Sequence, residues 1–514
     1  MLIKLYAAAL QGIDATTVTI EVNSSRGIKF FLVGLPDSAV KESHERIISA
    51  LQVNGYKFPT SQIVVNMAPA DVKKEGASYD LPLAIAIMAT ASLVKSDKLA
   101  DYIIVGELSL DGNLQPIKGA LPIAINALQK GFKGVIVPYQ NAHEAAVVDN
   151  IDALGVHNIK EVIDFFNGDI NISPTIVDTR EEFYKNQSDY PFDFSEVKGQ
   201  ENVKRALEIA AAGGHNIIMI GPPGSGKSMM AKRLPGILPP LTLKESLETT
   251  KIYSVAGKLG KNSSLITTRP FRNPHHTISQ IAMVGGGSSA QPGEISMANH
   301  GVLFLDELPE FNKSVLEVLR QPLEDRKISI SRAKYFIEYP ANFMMVASMN
   351  PCPCGYYNHP TRACICNPGQ VQKYLGKISG PLLDRIDIQI EIVPVPFEKI
   401  SENRVCESSN EIRERVLKAR EIQKVRFAKH TGIFCNAQME SKLLQKYAQP
   451  DDNGIKLLRQ AMQKLNLSAR AYNRILKVSR TIADIEGSEN IAPAHIAEAI
   501  SYRNLDRGNW SLFK

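Results

Sequence analysis

The chain has 514 residues, with 59 lysines and arginines against 53 aspartates and glutamates, which gives a formal net charge of +6. A hydrophobic fraction of 44% and a charged fraction of 22% are ordinary for a globular protein and exclude a mainly disordered, collagen-like or coiled-coil chain. The length suggests about three domains, and the small basic excess permits a nucleic-acid partner without requiring one.

Nothing in the sequence has the length and hydrophobicity of a membrane span. The longest apolar stretch, 81–94, is interrupted by Pro82, Thr90 and Ser92 and is shorter than the roughly 20 residues that a span needs. The N-terminal residues lack the apolar core and cleavage site of a signal peptide, and six cysteines are too few for a disulfide scaffold. We therefore expect a cytoplasmic protein with no membrane partner.

Residues 1 to about 170 are predicted to form an α/β domain. After an opening strand at the N-terminus, strand-like runs alternate with helical patterns. The strands are predicted at 17–22, 30–34, 62–67, 103–106 and 134–138, and the helices at 38–54, 81–92 and 121–131.

The remaining chain divides into three parts by composition. Residues 171–190 are polar without clear periodicity, which predicts a linker. A second α/β region, the core, follows over 191–400. Residues 401–514 are predicted to form a helical lid, which ends in a helix over 491–502.

The strongest motif lies at 221–228 and predicts a phosphate-binding loop. An apolar strand at 216–220 leads into it and a helix at 228–234 leads out, which is the context that the pattern G-x-x-x-x-G-K-[ST] requires. Backbone N–H groups and the helix N-terminus would hold the phosphates of ATP. Lys227 would reach the β- and γ-phosphates, and the Ser228 hydroxyl would bind Mg²⁺. The predicted cofactor-binding residues are Gly221, Pro222, Pro223, Gly224, Ser225, Gly226, Lys227 and Ser228.

A second apolar strand, 301–305, delivers two acidic residues to its C-terminal end. Ligands of open parallel sheets bind at that edge. Asp306 is predicted to hold Mg²⁺, directly or through water, and Glu307 to polarise the attacking water.

The residues 328–337 predict a β-hairpin with Arg332 and Lys334 near its tip. Two cations at a tip could follow the phosphates of a nucleic acid without reading its sequence. A solvated turn is an equally open interpretation.

Four of the six cysteines lie together, in the pattern CxC-x9-CxC formed by Cys352, Cys354, Cys364 and Cys366. Four thiolates in two close pairs can surround one tetrahedral Zn²⁺, although CxxC is the more usual spacing. A structural zinc site is the favoured interpretation, and free thiols or a redox pair remain open. His359 is expected to be a bystander.

Several longer sequence segments carry a family resemblance. They are Gly213–Asn216, Phe271–Thr277, Pro292–Ser296 and Ser379–Asp387. Through these the chain resembles the Mg-chelatase-related AAA+ ATPases. Over nearly its whole length it is similar to the YifB/ComM group, which joins such a motor to a Lon-protease-like (ChlI) N-terminal domain. The resemblance implies a ribosomal S5-like α/β N-domain, a P-loop core with a parallel sheet and a helical C-terminal lid.

The resemblance also implies roles for three further residues. Asn350, at the end of an apolar strand, matches the sensor-1 position that orients the lytic water. Arg385 matches the arginine finger that reaches a neighbouring subunit, and Arg470 matches sensor 2, with Arg474 less favoured. For each arginine a surface ion pair is the alternative. A finger acting in trans requires a ring, so a homo-hexamer is implied, and the hairpin would then point into its pore.

The Lon-like resemblance raises the question of proteolysis. Lon-type sites use a serine that a lysine activates. The serine position matches Ser78, but the lysine position matches Ile123, and Lys118 lies earlier. We interpret the domain as a pseudo-protease scaffold, with Lys118 as the main route to residual peptidase activity.

Together these features predict an ATP- and Mg²⁺-dependent motor. The resemblance implies DNA, single-stranded or branched, as the partner and branch migration or unwinding during transformation as the activity. The alternative is a chelatase-type ATPase that remodels a protein partner for metal insertion.

Overall fold

The computed structural model describes residues 1–185, 187, 190–260, 264–287, 290–332, 335–357, 359, 361–395, 406–465 and 467–503. The N-terminal region is a mixed sheet covered by helices, as its alternating pattern predicts. Its elements are β1 (Leu2–Gln11), β2 (Asp14–Ser25), β3 (Phe30–Val33), α1 (Ser38–Val53), β4 (Gln62–Ala68), α2 (Asp80–Thr90), β5 (Tyr102–Ile104), β6 (Glu107–Leu108), β7 (Leu114–Gln115), α3 (Ala120–Gln129), β8 (Gly134–Pro138), α4 (Tyr139–Ala145), β9 (Asp152–Val156) and α5 (Ile159–Asn167).

The N-terminal sheet has seven strands in the order β3-β4-β2-β1-β5-β8-β9. β1 and β4 run antiparallel to β2, while β5, β8 and β9 continue the sheet in parallel. Helix α2 is buried along its whole length, which explains why its sequence is the longest apolar stretch of the chain.

Segment 171–190, the expected linker, contains a short helix, α6 (Thr179–Lys185). Phe183 of this helix is 4% exposed and belongs to an apolar cluster with Leu121, Val147, Leu241 and Leu265. Since Leu121 and Val147 are N-terminal and Leu241 and Leu265 lie in the core, the segment packs between the two regions.

The core is an α/β unit with several short insertions. Its elements are α7 (Glu201–Gly213), β10 (Ile217–Ile220), α8 (Lys227–Arg233), α9 (Leu243–Ala256), β11 (Phe271–Arg272), α10 (Gln280–Val284), β12 (Gly285–Gly286), β13 (Gln291–Pro292), α11 (Glu294–Met297), β14 (Val302–Leu305), α12 (Lys313–Glu317), α13 (Arg320–Asp325), β15 (Lys327–Arg332), β16 (Tyr335–Pro340), β17 (Met344–Met349), α14 (Pro368–Leu375), α15 (Gly380–Leu383) and β18 (Ile388–Glu391).

The core sheet has five strands in the order β11-β14-β17-β10-β18, and every neighbouring pair is parallel. Alternate side chains of its strands point to opposite faces. One face packs against the C-terminal helices and the other against the residues around α12 and the β15–β16 hairpin. Burial on both faces explains why β10 and β14 are continuous apolar runs and why β17 is apolar except for Ser348.

The C-terminal region is helical, as predicted. Its helices are α16 (Ser409–Phe427), α17 (Ser441–Tyr447), α18 (Asp452–Leu465), α19 (Ala469–Ile485) and α20 (Pro493–Ser501). Buried residues of α16 and α19 share one apolar cluster with α7 and the core sheet. None of the helices in the described part of the chain is long and apolar enough to cross a membrane.

Candidate active site

The glycine-rich loop at 221–226 follows β10 at the carboxyl edge of the core sheet. Gly224 and Gly226 have φ values of 77° and 87°, in the left-handed region that only glycine adopts without strain. Ser225 Oγ is buried and has no hydrogen-bond partner among the described residues. Buried hydroxyls are normally paired, so Ser225 Oγ can bind a polar ligand that enters the loop.

Lys227, the first residue of α8, folds back over this loop. Its Nζ donates to Gly221 O and Pro222 O, each at 2.8 Å, and to Asn350 Oδ1 at 3.2 Å. The side chain is 9% exposed, and burial lowers the pKa of Lys227. A buried ammonium that is held mainly by neutral carbonyl groups favours an incoming anion.

Asp306 comes directly after β14 and accepts hydrogen bonds from two serines. Ser228 Oγ donates to Asp306 Oδ2 at 2.6 Å, and Ser348 Oγ donates to Asp306 Oδ1. Ser348 lies on β17, next to β14 in the sheet. A hydroxyl and a carboxylate that face each other offer the oxygen ligands that Mg²⁺ prefers, so Ser228 and Asp306 fit a bound Mg²⁺.

Glu307 differs from Asp306 in being accessible. Its φ is 54°, and its side chain is 57% exposed with Oε2 at 3.5 Å from His276 Nδ1. His276 follows β11, the neighbour of β14. The sequence analysis gave His276 no role, although it lies within the segment Phe271–Thr277 that carries the family resemblance. The reason is that the pairing of β11 with β14 is not visible in the sequence.

Asn350 follows β17, the strand between β14 and β10. Its amide oxygen accepts the hydrogen bond from Lys227. The three adjacent strands therefore bring Lys227, Asp306, Glu307 and Asn350 to one edge of the sheet. The arrangement can bind a nucleoside triphosphate with its metal ion and place a carboxylate near the terminal phosphate.

The four clustered cysteines form one compact group. Their sulfur atoms all lie within 4.8 Å of one another, and three pairs, among Cys352, Cys354 and Cys364, are 3.4 to 3.7 Å apart. A zinc tetrahedron with bonds of about 2.3 Å requires a separation of about 3.8 Å, so the thiolates fit the metal.

Backbone N–H groups also point at these sulfur atoms. Cys366 N donates to Cys364 Sγ at 3.4 Å. Burial disfavours ionisation of Cys354, yet the N–H groups of Tyr356 and Ile365 lower the pKa of that thiol to about 6. His359 Nδ1 accepts from the backbone of Thr361 and Arg362 and is not part of the cluster.

Comparison with known proteins shows where this arrangement belongs. Three family models match the chain: "Subunit ChlI of Mg-chelatase" at 20–141, "Magnesium chelatase, subunit ChlI" at 193–400, and its C-terminal model at 406–503. Competence protein ComM of Haemophilus influenzae is 44% identical over 506 residues, which cover 98% of this chain and 97% of ComM. The chain belongs to the YifB/ComM family of Mg-chelatase-like AAA+ ATPases.

Two further relatives agree with this assignment. The uncharacterized protein YifB of Escherichia coli is 42% identical over 509 residues, 98% of this chain and 97% of YifB. Lon protease 2 of Bacillus subtilis is 30% identical over 128 residues, 25% of this chain and 23% of that protease. As a member of the YifB/ComM family, the chain is an ATPase motor that uses ATP and Mg²⁺.

Arg385, the expected arginine finger, pairs with acceptors of its own chain in the structure. Its side chain is 8% exposed, and its guanidinium lies 2.6 Å from Glu324 Oε1 and donates to Pro381 O. Glu324 belongs to α13, immediately before the hairpin. Reaching another subunit would require Arg385 to leave Glu324.

The two lid arginines have different surroundings. Arg470, the favoured sensor-2 candidate, is 63% exposed and only 3.8 Å from Asp384. Arg474 contacts the buried Asp387 at 2.8 Å. Arg474 therefore neutralises a buried carboxylate, whereas Arg470 is accessible, and the assignment of Arg470 to sensor 2 stays a prediction.

The hairpin predicted around 328–337 is present as β15 and β16, with six residue pairs in register. Lys334 and the side chain of Arg332 lie outside the described residues, so their role at the tip stays a prediction. The β1–β2 turn of the N-terminal region packs against the middle of β16, where a Cβ at Gly12 would lie 2.9 Å from Ile337 Cγ2.

The contacts observed in the N-terminal region do not bring Ser78 together with a lysine. Ile123, at the expected lysine position, is 2% exposed in the apolar core. Lys118 instead packs on the core region, since a Cβ at Gly257 would lie 2.9 Å from Lys118 Cε. The interpretation of this region as a pseudo-protease scaffold stays a prediction.

Proposed function

We propose that this ATPase is a cytoplasmic DNA motor that works as a homo-hexameric ring. In this proposal it unwinds or branch-migrates single-stranded or branched DNA during recombination or natural transformation. The observation that carries the ATPase part is the convergence of Lys227, Asp306, Glu307 and Asn350 at one sheet edge. The DNA part is supported by similarity to a protein named for competence and by the hairpin next to the core.

The residues of the site have separable roles in this proposal. Lys227 exchanges the carbonyls of Gly221 and Pro222 for the β- and γ-phosphates of ATP, because a charged acceptor is stronger than a neutral one. Ser228 and Asp306 would hold Mg²⁺, which when bound neutralises phosphate charge. Glu307 accepts a proton from the attacking water, and Asn350 orients that water.

Arg385 and Arg470 complete the proposed site. Arg385 of one subunit leaves Glu324 and stabilises the charge that develops on the γ-phosphate bound by its neighbour. Arg470 contributes from the lid of the same subunit. Arg385 and Arg470 thus link hydrolysis to the position of a neighbouring subunit and of the lid.

The cysteine cluster is proposed to be a structural zinc site. Cys352, Cys354, Cys364 and Cys366 supply all four ligands, so no position is left for a substrate. Zinc supplies a crosslink between the two halves of the loop when it is bound.

The deciding experiment is the steady-state ATPase rate with and without single-stranded and branched DNA, with Lys227→Ala as the blank. We expect DNA to stimulate hydrolysis and rising salt to remove the stimulation, because phosphate contacts release counterions. Hydrolysis that is indifferent to DNA would refute the DNA motor.

The hairpin offers a sharper test of the same proposal. The double variant Arg332→Ala/Lys334→Ala should weaken DNA binding and lower the salt slope by about two ions. Lys327→Ala is the matched control, since Lys327 lies at the hairpin base and pairs with Glu338 at 3.3 Å. Equal effects of the tip and base variants would contradict a gripping tip.

A chelatase-type ATPase that remodels a protein partner is the second candidate. The family models, which describe a magnesium chelatase subunit, favour it. DNA-independent hydrolysis that a protein partner stimulates would support this alternative.

A further inference from the structure

The cysteine cluster follows the nucleotide site directly along the chain. Asn350 accepts the hydrogen bond from Lys227, and Cys352, which is fully buried, follows two residues later. After the cluster, helix α14 brings Tyr374 back toward the backbone of Asn350. The cysteine loop, defined as residues 351–366, is therefore anchored at the site by elements on both sides.

The loop also touches the phosphate-binding loop directly. Gly355 has a φ of 84°, and a Cβ built at this residue would lie 2.6 Å from Pro223 Cδ. A real Cβ does not approach another carbon so closely, so the two loops are in contact at a point where only glycine fits. The Gly355 backbone is fixed in turn by its N–H, which donates to Cys352 O at 3.0 Å.

A narrow cleft, with room for about one water molecule, lies beside this contact, between the two loops and the chain that follows β18. Gly221 and Pro222 form one wall, Pro351, Tyr357 and His359 form the second, and Val393 lies on the third. The cleft thus combines backbone of the phosphate-binding loop with a mixed lining that includes the Glu391 carboxylate. The cysteine loop therefore borders the phosphate-binding loop along this cleft as well as at Gly355.

We propose that the cysteine loop is a wall of the nucleotide pocket, and that metal binding by its four thiolates controls the affinity of the chain for ATP. With the metal bound, Cys352 and Cys354 are tied to Cys364 and Cys366, which holds Gly355 and Tyr357 against the pocket. Without it the halves of the loop are no longer crosslinked, and the wall is lost. This inference rests on the proposed zinc site and extends its role from structure to regulation.

The first test measures metal content and nucleotide affinity on the full-length protein. A fluorescent ATP analogue is titrated by anisotropy before metal removal, after chelation under reducing conditions, and after Zn²⁺ is added back. We expect one zinc per chain, a loss of affinity of at least about tenfold on removal, and recovery on re-addition. Unchanged affinity after removal, or no bound metal with four free thiols, would overturn the inference.

A second test avoids metal removal, in case the stripped protein unfolds. Gly355→Ala should push the cysteine loop away from Pro223 and weaken ATP binding while zinc content stays unchanged. Gly131→Ala is the matched control, because Gly131 has a similar φ of 78° but nothing within 4 Å of a Cβ. Equal ATP affinity of the two variants would refute the contact as a pocket wall.

The outcomes separate this inference from the proposed function. If the metal-loaded wild type fails to bind ATP better than Lys227→Ala, the ATPase proposal itself fails. If the wild type binds ATP and either metal removal or Gly355→Ala leaves the affinity unchanged, only the regulatory inference fails.

Discussion

At the scale of single residues, the position of Asp306 depends on a serine that belongs to no motif. Ser348 Oγ donates to Asp306 Oδ1, opposite the bond from Ser228 to Oδ2. Ser348→Ala should leave Asp306 less well oriented, so the Mg²⁺ concentration that half-saturates hydrolysis should rise roughly threefold to tenfold. An ATPase titration with Mg²⁺ at fixed ATP measures this shift.

Ser296→Ala is the control for that titration. Ser296 is also a fully buried core serine, but its Oγ has no partner among the described residues. The same shift in both variants would mean that Ser348 acts through packing and not through Asp306.

The junction between core and lid contains a buried histidine that predicts a pH dependence. His215 lies between Asp387, with Nδ1 to Oδ2 at 3.3 Å, and Thr481, with Nε2 to Oγ1 at 2.8 Å. Burial lowers the pKa of His215 although Asp387 acts against the shift, and Arg474 and Lys477 also face the site. A histidine with a depressed pKa binds its proton more weakly in the folded state, so stability falls as pH drops below about 6.5.

Thermal unfolding between pH 7.5 and 5.5 tests this expectation. One proton can contribute at most about 1.4 kcal/mol per pH unit to the free energy of unfolding. His215→Gln should reduce the slope over this range because it removes the titrating group. Protonation of Asp387 reduces the stability only at lower pH. Burial opposes ionisation of this carboxyl, but nearby positive charge, mainly that of Arg474, holds its pKa well below the usual range. An unchanged slope in His215→Gln would exclude His215 as its source.

At the scale of elements, the sequence predicted the strands of the site well because they are short and apolar. The predictions at 216–220 and 301–305 match β10 and β14 within one residue at each end. The pairings across these strands could not be predicted, since Ser348 meets Asp306 and His276 meets Glu307 only through the sheet order. Helix α6 was missed because about two turns with a single large buried residue leave no periodic signal.

That short helix should nevertheless hold the N-terminal region to the core. Phe183 is 4% exposed among residues of both regions, whereas its neighbour Tyr184 is 69% exposed. Phe183→Ala should weaken the packing by about 3 kcal/mol and speed proteolytic cleavage within 171–190. Limited proteolysis measures the rate, with Tyr184→Ala as the control. Equal cleavage rates in the two variants would contradict a packing role for α6.

At the scale of the whole molecule, the proposed role of Arg385 as an arginine finger decides whether the chain can hydrolyse ATP alone. Arg385 is paired with Glu324 inside one subunit, and a finger that acts on a neighbour would have to exchange this partner for the γ-phosphate. Arg385→Ala should lower the ATPase rate by about a hundredfold or more, and Lys227→Ala should abolish nucleotide binding. Neither variant alone shows which subunit supplies the arginine.

Mixing the two variants answers that question. In a ring, a subunit with Arg385→Ala keeps its phosphate-binding loop and can receive the intact Arg385 of a Lys227→Ala neighbour. Random mixing of equal amounts should restore about a quarter of the wild-type sites, because each interface needs one subunit of each kind in the right order. If the arginine acted within its own subunit, no mixed site would be complete and the mixture would stay inactive. Recovery of ATPase activity on mixing therefore requires an assembly in which sites lie between subunits.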